Sequence, residues 1–296
     1  MKYYRKHKFY KTPPINSQIN YNGRIFSAEH LMLSADNRAF LYGDGVFETL
    51  RLVEGHIPFL KHHYDRLMRG LELLQIEVPS TFDLCFFCGE INKIAKKEKA
   101  TRVRFNAYRA SGGKYSPRQD HLQYLISGSP LSSAFFEVPP KGLSAVLYEG
   151  IPLVNNVLSS VKTMNALPYV LAGKYRVERK AEEVLLLNQN GSIAEAGSSN
   201  VYIWDGDKLI TPSLKEACIA GVVRAVLLAG GEGGKFAIVE GEISIADIRK
   251  ADAVLLSNSI QGIRWLSTFE DIPYEERIGR KLVKELLEYL NAEAIY

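Results

Sequence analysis

Tight glycine turns do most to limit what this chain can fold into. Short apolar runs are punctuated by Asn22-Gly23, Glu54-Gly55, Gln189-Asn190-Gly191 and Asp205-Gly206. Asn and Gly tolerate the positive φ of a tight reversal, so Asn22-Gly23 and Asp205-Gly206 read as hairpins. Strands that reverse so quickly pair with their neighbours in antiparallel fashion. Helical stretches are interleaved with strands in both halves, and no internal repeat is present. The expected fold class is therefore α+β with frequent antiparallel pairing.

Between the turns the periodicities are legible. Residues 19–27 are two short strands. Val46–Val53 is a β-favouring run ending at Glu54-Gly55, which predicts strand, turn, strand. Leu60–Leu74 is the clearest helix: Leu60, Tyr64, Leu67, Met68, Leu71 and Leu74 form one stripe, and Arg66 lies beside it. Ser80 is placed to cap a second helix with Leu84, Phe87, Ile91 and Ile94 on its apolar face. Thr101–Arg109 alternates Val103, Phe105 and Ala107 inward with Arg102, Arg104 and Asn106 outward. His121–Ser127 is a further strand. Residues 129–142 are Ser- and Pro-rich without periodicity and mark a domain boundary, giving domains 1–130 and 131–296. Beyond it the spacing predicts strands at 143–148, 183–188, 201–204, 208–210, 235–239 and 253–256. Helices are predicted at 165–178 and 221–228, in a stretch capped by Ser244, and at 277–290.

Composition excludes several classes. The chain has 296 residues, enough for two domains. Its 46% hydrophobic and 24% charged residues are those of a soluble globular protein. A net charge of +4 is small, and the basic N-terminus (Lys2, Arg5, Lys8, Lys11) reads as a mobile or edge segment, so no nucleic-acid partner is expected. No apolar run reaches membrane-spanning length and no secretory h-region is visible. Cys85, Cys88 and Cys218 do not make a disulfide framework, which places the chain in the cytoplasm.

The chemistry concentrates between Ser159 and Asn200. Lys162 lies in a small-residue loop, followed by a helical run, an apolar strand, a turn and Glu195. A lysine becomes a nucleophile when a dry pocket or a positive neighbour lowers its pKa. A lysine that holds a cofactor needs a carboxylate that tunes it. Lys162 and Glu195 are candidates for that pair, against the ordinary alternative of a solvated lysine and an edge carboxylate.

Other constellations are weaker. Cys85-Phe-Phe-Cys88 lies mid-helix without a second pair, so buried core cysteines are the expectation rather than redox or zinc chemistry. Gly230–Lys235 departs from a phosphate loop at Ala229 and Phe236 and reads as a surface turn. His62 and His63, adjacent on a helix, point apart and read as a solvated or capping pair, so no metal site is expected. No G-x-S-x-G is present. Gly221-Val222-Val223-Arg224 opens a helix, where free amides suit a phosphate. Ser257-Asn258-Ser259 follows a buried strand and offers hydroxyls.

Together these pieces resemble the class IV aminotransferase family, the fold-type IV enzymes that use pyridoxal 5′-phosphate. The resemblance runs from Asn20 to Leu266 through YGDGVFETLRL, the H-x-x-x-R-L of His62–Leu67, K-T-M-N at 162–165, NGSIAEAGSSNVY, LITP, GVVR and LLSNSIQGI, in the family's order. It implies a small α/β N-terminal domain, a larger C-terminal pseudo-barrel α/β domain, and a homodimer with active sites at the interface. It further implies that Lys162 bonds to the cofactor and moves the Cα proton, and that Glu195 pairs with the pyridinium nitrogen. Arg66, the amides of Val222 and Val223, and Ser259 would hold the phosphate. The family often has Ile-Thr at 222–223, so one hydroxyl is absent here.

Three local features bear on the reaction. Lys162-x-x-Asn165 is similar to lyases and D-amino acid enzymes, and Leu167 stands where branched-chain enzymes place a tyrosine. The run Tyr108–Pro117 is similar to the R-G-S-G-G-R-G-Y-S of aminodeoxychorismate lyases, with Ala110 and Lys114 as departures and one Gly missing. Asn258-Ser259-Ile260 resembles the lyases' N-S-L. The resemblance therefore implies 4-amino-4-deoxychorismate lyase, with Tyr42, Arg109 and Lys114 contacting a small substrate. An aminotransferase acting on branched-chain or D-amino acids, and a non-catalytic protein of the same fold, are the alternatives.

Overall fold

A computed structural model describes residues 18–94, 99–232 and 236–294. The basic residues Lys2, Arg5, Lys8 and Lys11, and Gly233-Gly234-Lys235 of the glycine-rich turn, lie outside these. In chain order the first elements are β1 (Gln18–Tyr21), β2 (Arg24–Ser27), α1 (Arg38–Tyr42), β3 (Gly45–Val53), α2 (Leu60–Leu73), α3 (Leu84–Asn92), β4 (Ala100–Arg109) and β5 (Leu122–Pro130). Then follow β6 (Leu143–Leu153), α4 (Leu167–Glu178), β7 (Glu183–Asn188), β8 (Ile193–Ala196), β9 (Asn200–Trp204), β10 (Leu209–Pro212), α5 (Val222–Glu232), β11 (Ile238–Gly241), α6 (Ile245–Lys250), β12 (Ala253–Asn258), β13 (Gly262–Phe269), β14 (Ile272–Pro273) and α7 (Glu276–Glu293).

Asn22 and Gly23 both take positive φ, 49° and 85°, and close the first hairpin. The first sheet is antiparallel, ordered β2-β1-β5-β4-β3. One face carries Leu50, Val103, Phe105 and Ile126, which pack on Leu67 and Leu71 of α2 and on Phe87 and Ile91 of α3. The second sheet is ordered β11-β10-β9-β12-β13-β6-β7-β8, with β14 beside β13. It is mixed: β6 pairs in parallel with β7 and β13, and β10 in parallel with β11. The sheet curls so that β8 returns against β9 and β10, enclosing Leu185, Ile193, Val201, Val254 and Leu256. Helices α5 and α7 cover its outer side over Trp265. This is the expected α+β class, with a half-barrel second sheet.

Several local expectations are corrected. No strand follows Gly55: a Val53–His56 bridge closes the turn, and buried Ile57 leads the chain directly into α2. Helix α3 is capped by Asp83, whose side chain accepts from Phe86 N, rather than by Ser80. Cys85 is exposed and Cys88 half-buried, because Phe87 and Ile91 occupy the inner face. Helix α4 starts at Leu167, with Pro168 in its first turn. Strands β8, β13 and β14 were not anticipated. Among the described residues no helix is long and apolar enough to cross a membrane, and no cluster of acidic, His or Cys groups could hold a metal.

The two sheets meet where the site lies. Strand β3 is the edge of the first sheet, and that edge is taken up by the Lys162 segment. Phe47 N donates to Lys162 O (2.9 Å) and Met164 N to Gly45 O (2.9 Å).

Candidate active site

A cleft of about 680 Å³ opens at this junction. Its walls come from β3 and β4, the Lys162 loop, β8 and the turn after it, the N-terminus of α5, and the loop after β12. Lys162 Nζ lies 4.6 Å from the centroid of the Phe47 ring. Burial, then the charges of Arg66 and Arg104, pull its ammonium down to about 8, against Glu48 and Glu195. An amine with that pKa has a substantial free-base fraction near neutrality.

Glu195 sits on the floor. All four residues of β8 are buried, which presents the carboxylate inside the molecule. Tyr169 Oη donates to Oε1 (2.5 Å) and Ile219 N to Oε2 (3.1 Å). Burial raises its pKa; those two hydrogen bonds and the charges of Lys162 and Arg66 act the other way.

Arg66 approaches from α2. Its Nε and Nη2 donate to both oxygens of Glu48 (2.7 and 2.6 Å), and Nη1 donates to Ala220 O (3.0 Å). Strand alternation explains the arrangement: Glu48 faces α2, whereas Phe47 and Thr49 face the cleft. Burial would raise the Glu48 carboxyl, but Arg66 and His63 outweigh it and hold it at about 2. His63 is therefore buried, with Nδ1 2.8 Å from Glu48 Oε2, which corrects the expectation of a solvated or capping pair; His62 is exposed. Burial lowers the imidazole's pKa.

Loop 219–221 ties these parts together. Ile219 N binds Glu195, Ile219 O accepts from Asn200 Nδ2 (2.8 Å), Ala220 O accepts from Arg66, and Ala220 N donates to Ser160 O (3.0 Å). Gly221 follows, and its carbonyl accepts the first helical bond of α5 from Ala225 N (2.9 Å). A Cβ at Gly221 would lie 1.9 Å from Asn200 Oδ1, so only glycine lets the helix start here. The first-turn amides of α5, Val222 and Val223 among them, have no intrahelical acceptor and point toward the cleft end with the helix dipole behind them. Ser259 lines the same end, its Oγ donating to Thr49 O (2.7 Å).

The structure thus brings Lys162, Glu195, Arg66, Val222, Val223 and Ser259 into one cleft. It does not bring Tyr42, Arg109 or Lys114 there. Arg109 is buried, with Nε donating to Asp44 (2.9 Å) and its other nitrogens to Asp120 and the carbonyls of Leu74 and Gln75. Its donors clamp the loop that the resemblance assigned to substrate. Lys114 is exposed, and its carbonyl accepts from Arg38 (2.6 Å). The Tyr42 ring lies 5.7 Å from that of Tyr115. Glu48, Tyr169 and Asn200 went unnoticed in the sequence; only Glu48 carried a signal, as the one acid in β3.

The comparisons with known proteins bear on this arrangement. The family model described as amino-transferase class IV matches residues 45–267. The chain belongs to the class IV aminotransferase family. An aminodeoxychorismate lyase of Bacillus subtilis is 27% identical over 88% of this chain and 89% of its own. A D-alanine aminotransferase of Staphylococcus epidermidis is 24% identical over 82% of this chain and 86% of its own. Among solved structures, the PLP-bound form of a hypothetical aminotransferase from Mycobacterium tuberculosis superposes with a TM-score of 0.78 at 18% identity, covering 94% and 99% of the two chains.

This class IV enzyme has pyridoxal 5′-phosphate as its cofactor, and the residues present fit that group. A lowered-pKa amine faces a buried carboxylate across the cleft. An arginine and the first-turn amides of α5 converge at one end.

Proposed function

We propose that this chain is a 4-amino-4-deoxychorismate lyase, releasing pyruvate and forming 4-aminobenzoate. The observation that carries the reading is the polar, basic wall that the Lys162 loop and β4 turn to the cleft. Asn165 Nδ2 donates to Gly43 O (3.2 Å), and β4 presents Arg102 and Arg104. A branched aliphatic substrate needs an apolar pocket; a substrate bearing two carboxylates suits this wall.

In this reading Arg66, the amides of Val222 and Val223, and Ser259 hold the cofactor's phosphate, and Glu195 faces its ring nitrogen. Bound there, the cofactor supplies an electron sink for negative charge on the carbon that bears the substrate's amine. Lys162 Nζ takes the proton from that carbon. The neighbouring carbon then loses its bond to the enolpyruvyl oxygen, which departs with the electron pair; the ring becomes aromatic, and the released enolate takes a proton at its methylene carbon to become pyruvate. Tyr169 and Ile219 hold Glu195 in orientation throughout.

A second reading, amino transfer from a D- or branched-chain amino acid to a 2-oxo acid, is favoured by relatives of comparable identity. The discriminating measurement is 4-aminobenzoate formed from aminodeoxychorismate by purified enzyme. Formation well above the uncatalysed rate is expected. No formation, together with brisk transfer from valine or D-alanine to 2-oxoglutarate, sinks the lyase reading.

We also propose that two copies associate. The exposed side of α4 carries Leu167, Val170, Leu171 and Val177, and Val154 and Val157 are exposed beside the cleft.

A further inference from the structure

Ser259 is held by a bond that a ligand would break. Its Oγ donates to Thr49 O (2.7 Å). A hydroxyl carries one proton, so a Ser259 that donates to the cofactor's phosphate lets go of Thr49 O. Loop 258–261 lines the cleft with Ser259, Ile260 and Gln261, and it then loses one of its ties to β3. Asn258 Oδ1 accepts from Ile260 N (2.9 Å) and Gln261 N (2.7 Å), which shapes the loop internally without tying it to the first sheet.

The tie that persists is Arg51, two residues along β3 from Thr49 and so on the same face of the strand. Its Nε and Nη2 both donate to Ile260 O (3.1 and 2.6 Å), and its Nη1 donates to Ser133 O (2.6 Å) in the connection between β5 and β6. Its guanidinium carbon lies 4.8 Å from the centroid of the Phe136 ring in the same connection. Phe136 is fixed in turn by Asn291 of α7, its N donating to Oδ1 (3.3 Å) and its O accepting from Nδ2 (3.0 Å). Arg51 is 7% exposed and stands outside the lining of the cleft. It joins three separate segments: the first sheet, the β5–β6 connection and the loop after β12. A guanidinium suits this place because its fork closes on one carbonyl, its remaining nitrogen reaches another, and its face stacks on a ring; an ammonium has no such geometry.

We propose that Arg51 is a positioning residue for the cofactor's phosphate, its fork on Ile260 O keeping loop 258–261 seated at the phosphate end of the cleft when the Ser259 hydroxyl turns away from Thr49 O. The proposal rests on the reading that places the phosphate between Arg66, the start of α5 and this loop. Arg51 itself acts only through the loop.

The test titrates the full chain, freed of cofactor and in phosphate-free buffer, with pyridoxal 5′-phosphate and with pyridoxal, which lacks the phosphate. Both are followed by visible absorption. Arg51→Lys keeps the charge and loses the fork. It is expected to weaken pyridoxal 5′-phosphate by about tenfold and to leave pyridoxal within about twofold of the wild type. Arg51→Gln carries the test if the lysine variant does not fold. An unchanged affinity for pyridoxal 5′-phosphate overturns the proposal. So does an equal loss for both compounds, which would make Arg51 a brace of the whole fold. Ser259→Ala separates the proposal from the reading beneath it. Where Ser259→Ala also loses phosphate-dependent affinity, the double variant should lose little more than either single one, because both changes act on one loop; fully additive losses overturn the proposal. Where Ser259→Ala binds like the wild type, the hydroxyl is removed from the phosphate, and a phosphate-specific loss in Arg51→Lys supports positioning through the loop's backbone.

Discussion

Lys162 is set apart from the other lysines by what its ammonium faces. Two arginines and a dry wall disfavour its charge; two glutamates favour it; the balance falls at about 8 instead of the ordinary 10.5. A group whose folded pKa lies below its unfolded one binds fewer protons when folded. The buried ammonium therefore costs stability below pH 8, and the cost is relieved as pH rises from 8 toward 10.5. The same titration governs reactivity, since only the free amine attacks. In cofactor-free protein, the rate of pyridoxal 5′-phosphate capture, followed by visible absorption, should rise about tenfold per pH unit below 8 and level off above it. A rate that keeps climbing to pH 10 would mean that Lys162 is an ordinary lysine. Lys162→Arg should give no covalent adduct after borohydride treatment.

At the level of elements, the site is a set of chain ends aimed at one point: the start of β3, the start of α5, short β8 and the loop after β12. Their alignment hangs on loop 219–221, whose carbonyls and amides hold Arg66, Glu195, Asn200 and Ser160 together. Gly221→Ala would drive a methyl group into Asn200 Oδ1 and displace that loop. Cofactor affinity should fall by about tenfold or more in an equilibrium titration, with the far-ultraviolet circular dichroism unchanged; undiminished affinity would mean that the loop yields without cost. Such convergence is barely visible in a sequence. Helices α2 and α7 and strand β4 were legible because one face of each meets a core, and that imposes a period. The period says which residues face away from the core and not what they face instead. Arg102, Arg104 and Asn106 were placed on the outer side of β4, correctly, yet Arg102 and Arg104 there line the cleft. His63 was misjudged for the same reason, since its partner Glu48 comes from a strand fifteen residues away. The residues proposed to face the cofactor were legible only through their motifs.

For the molecule as a whole, the unexplained feature is the outer side of α4. Its inner side supplies Tyr169 to the cleft and buries Ala172, as the helical period requires. Its outer side ought to be polar, yet Leu167, Val170, Leu171 and Val177 follow one another at helical spacing and are 73%, 54%, 41% and 65% exposed. Val154 and Val157, 57% and 76% exposed, extend the apolar area to the rim of the cleft. An uncovered stripe of this kind marks an association surface. A second copy of the chain covers it in the proposed homodimer, and because Val154 also lines the cleft, association would reshape the opening through which substrate enters. Val170→Asp would bury an unpaired carboxylate at such an interface, at about 3 kcal/mol or more per buried charge. Light scattering coupled to size-exclusion chromatography should give twice the 33.2 kDa chain mass for the wild type and the single mass for this variant at the same concentration. A wild type that already elutes at the single mass would leave the stripe on α4 without a homodimer to cover it.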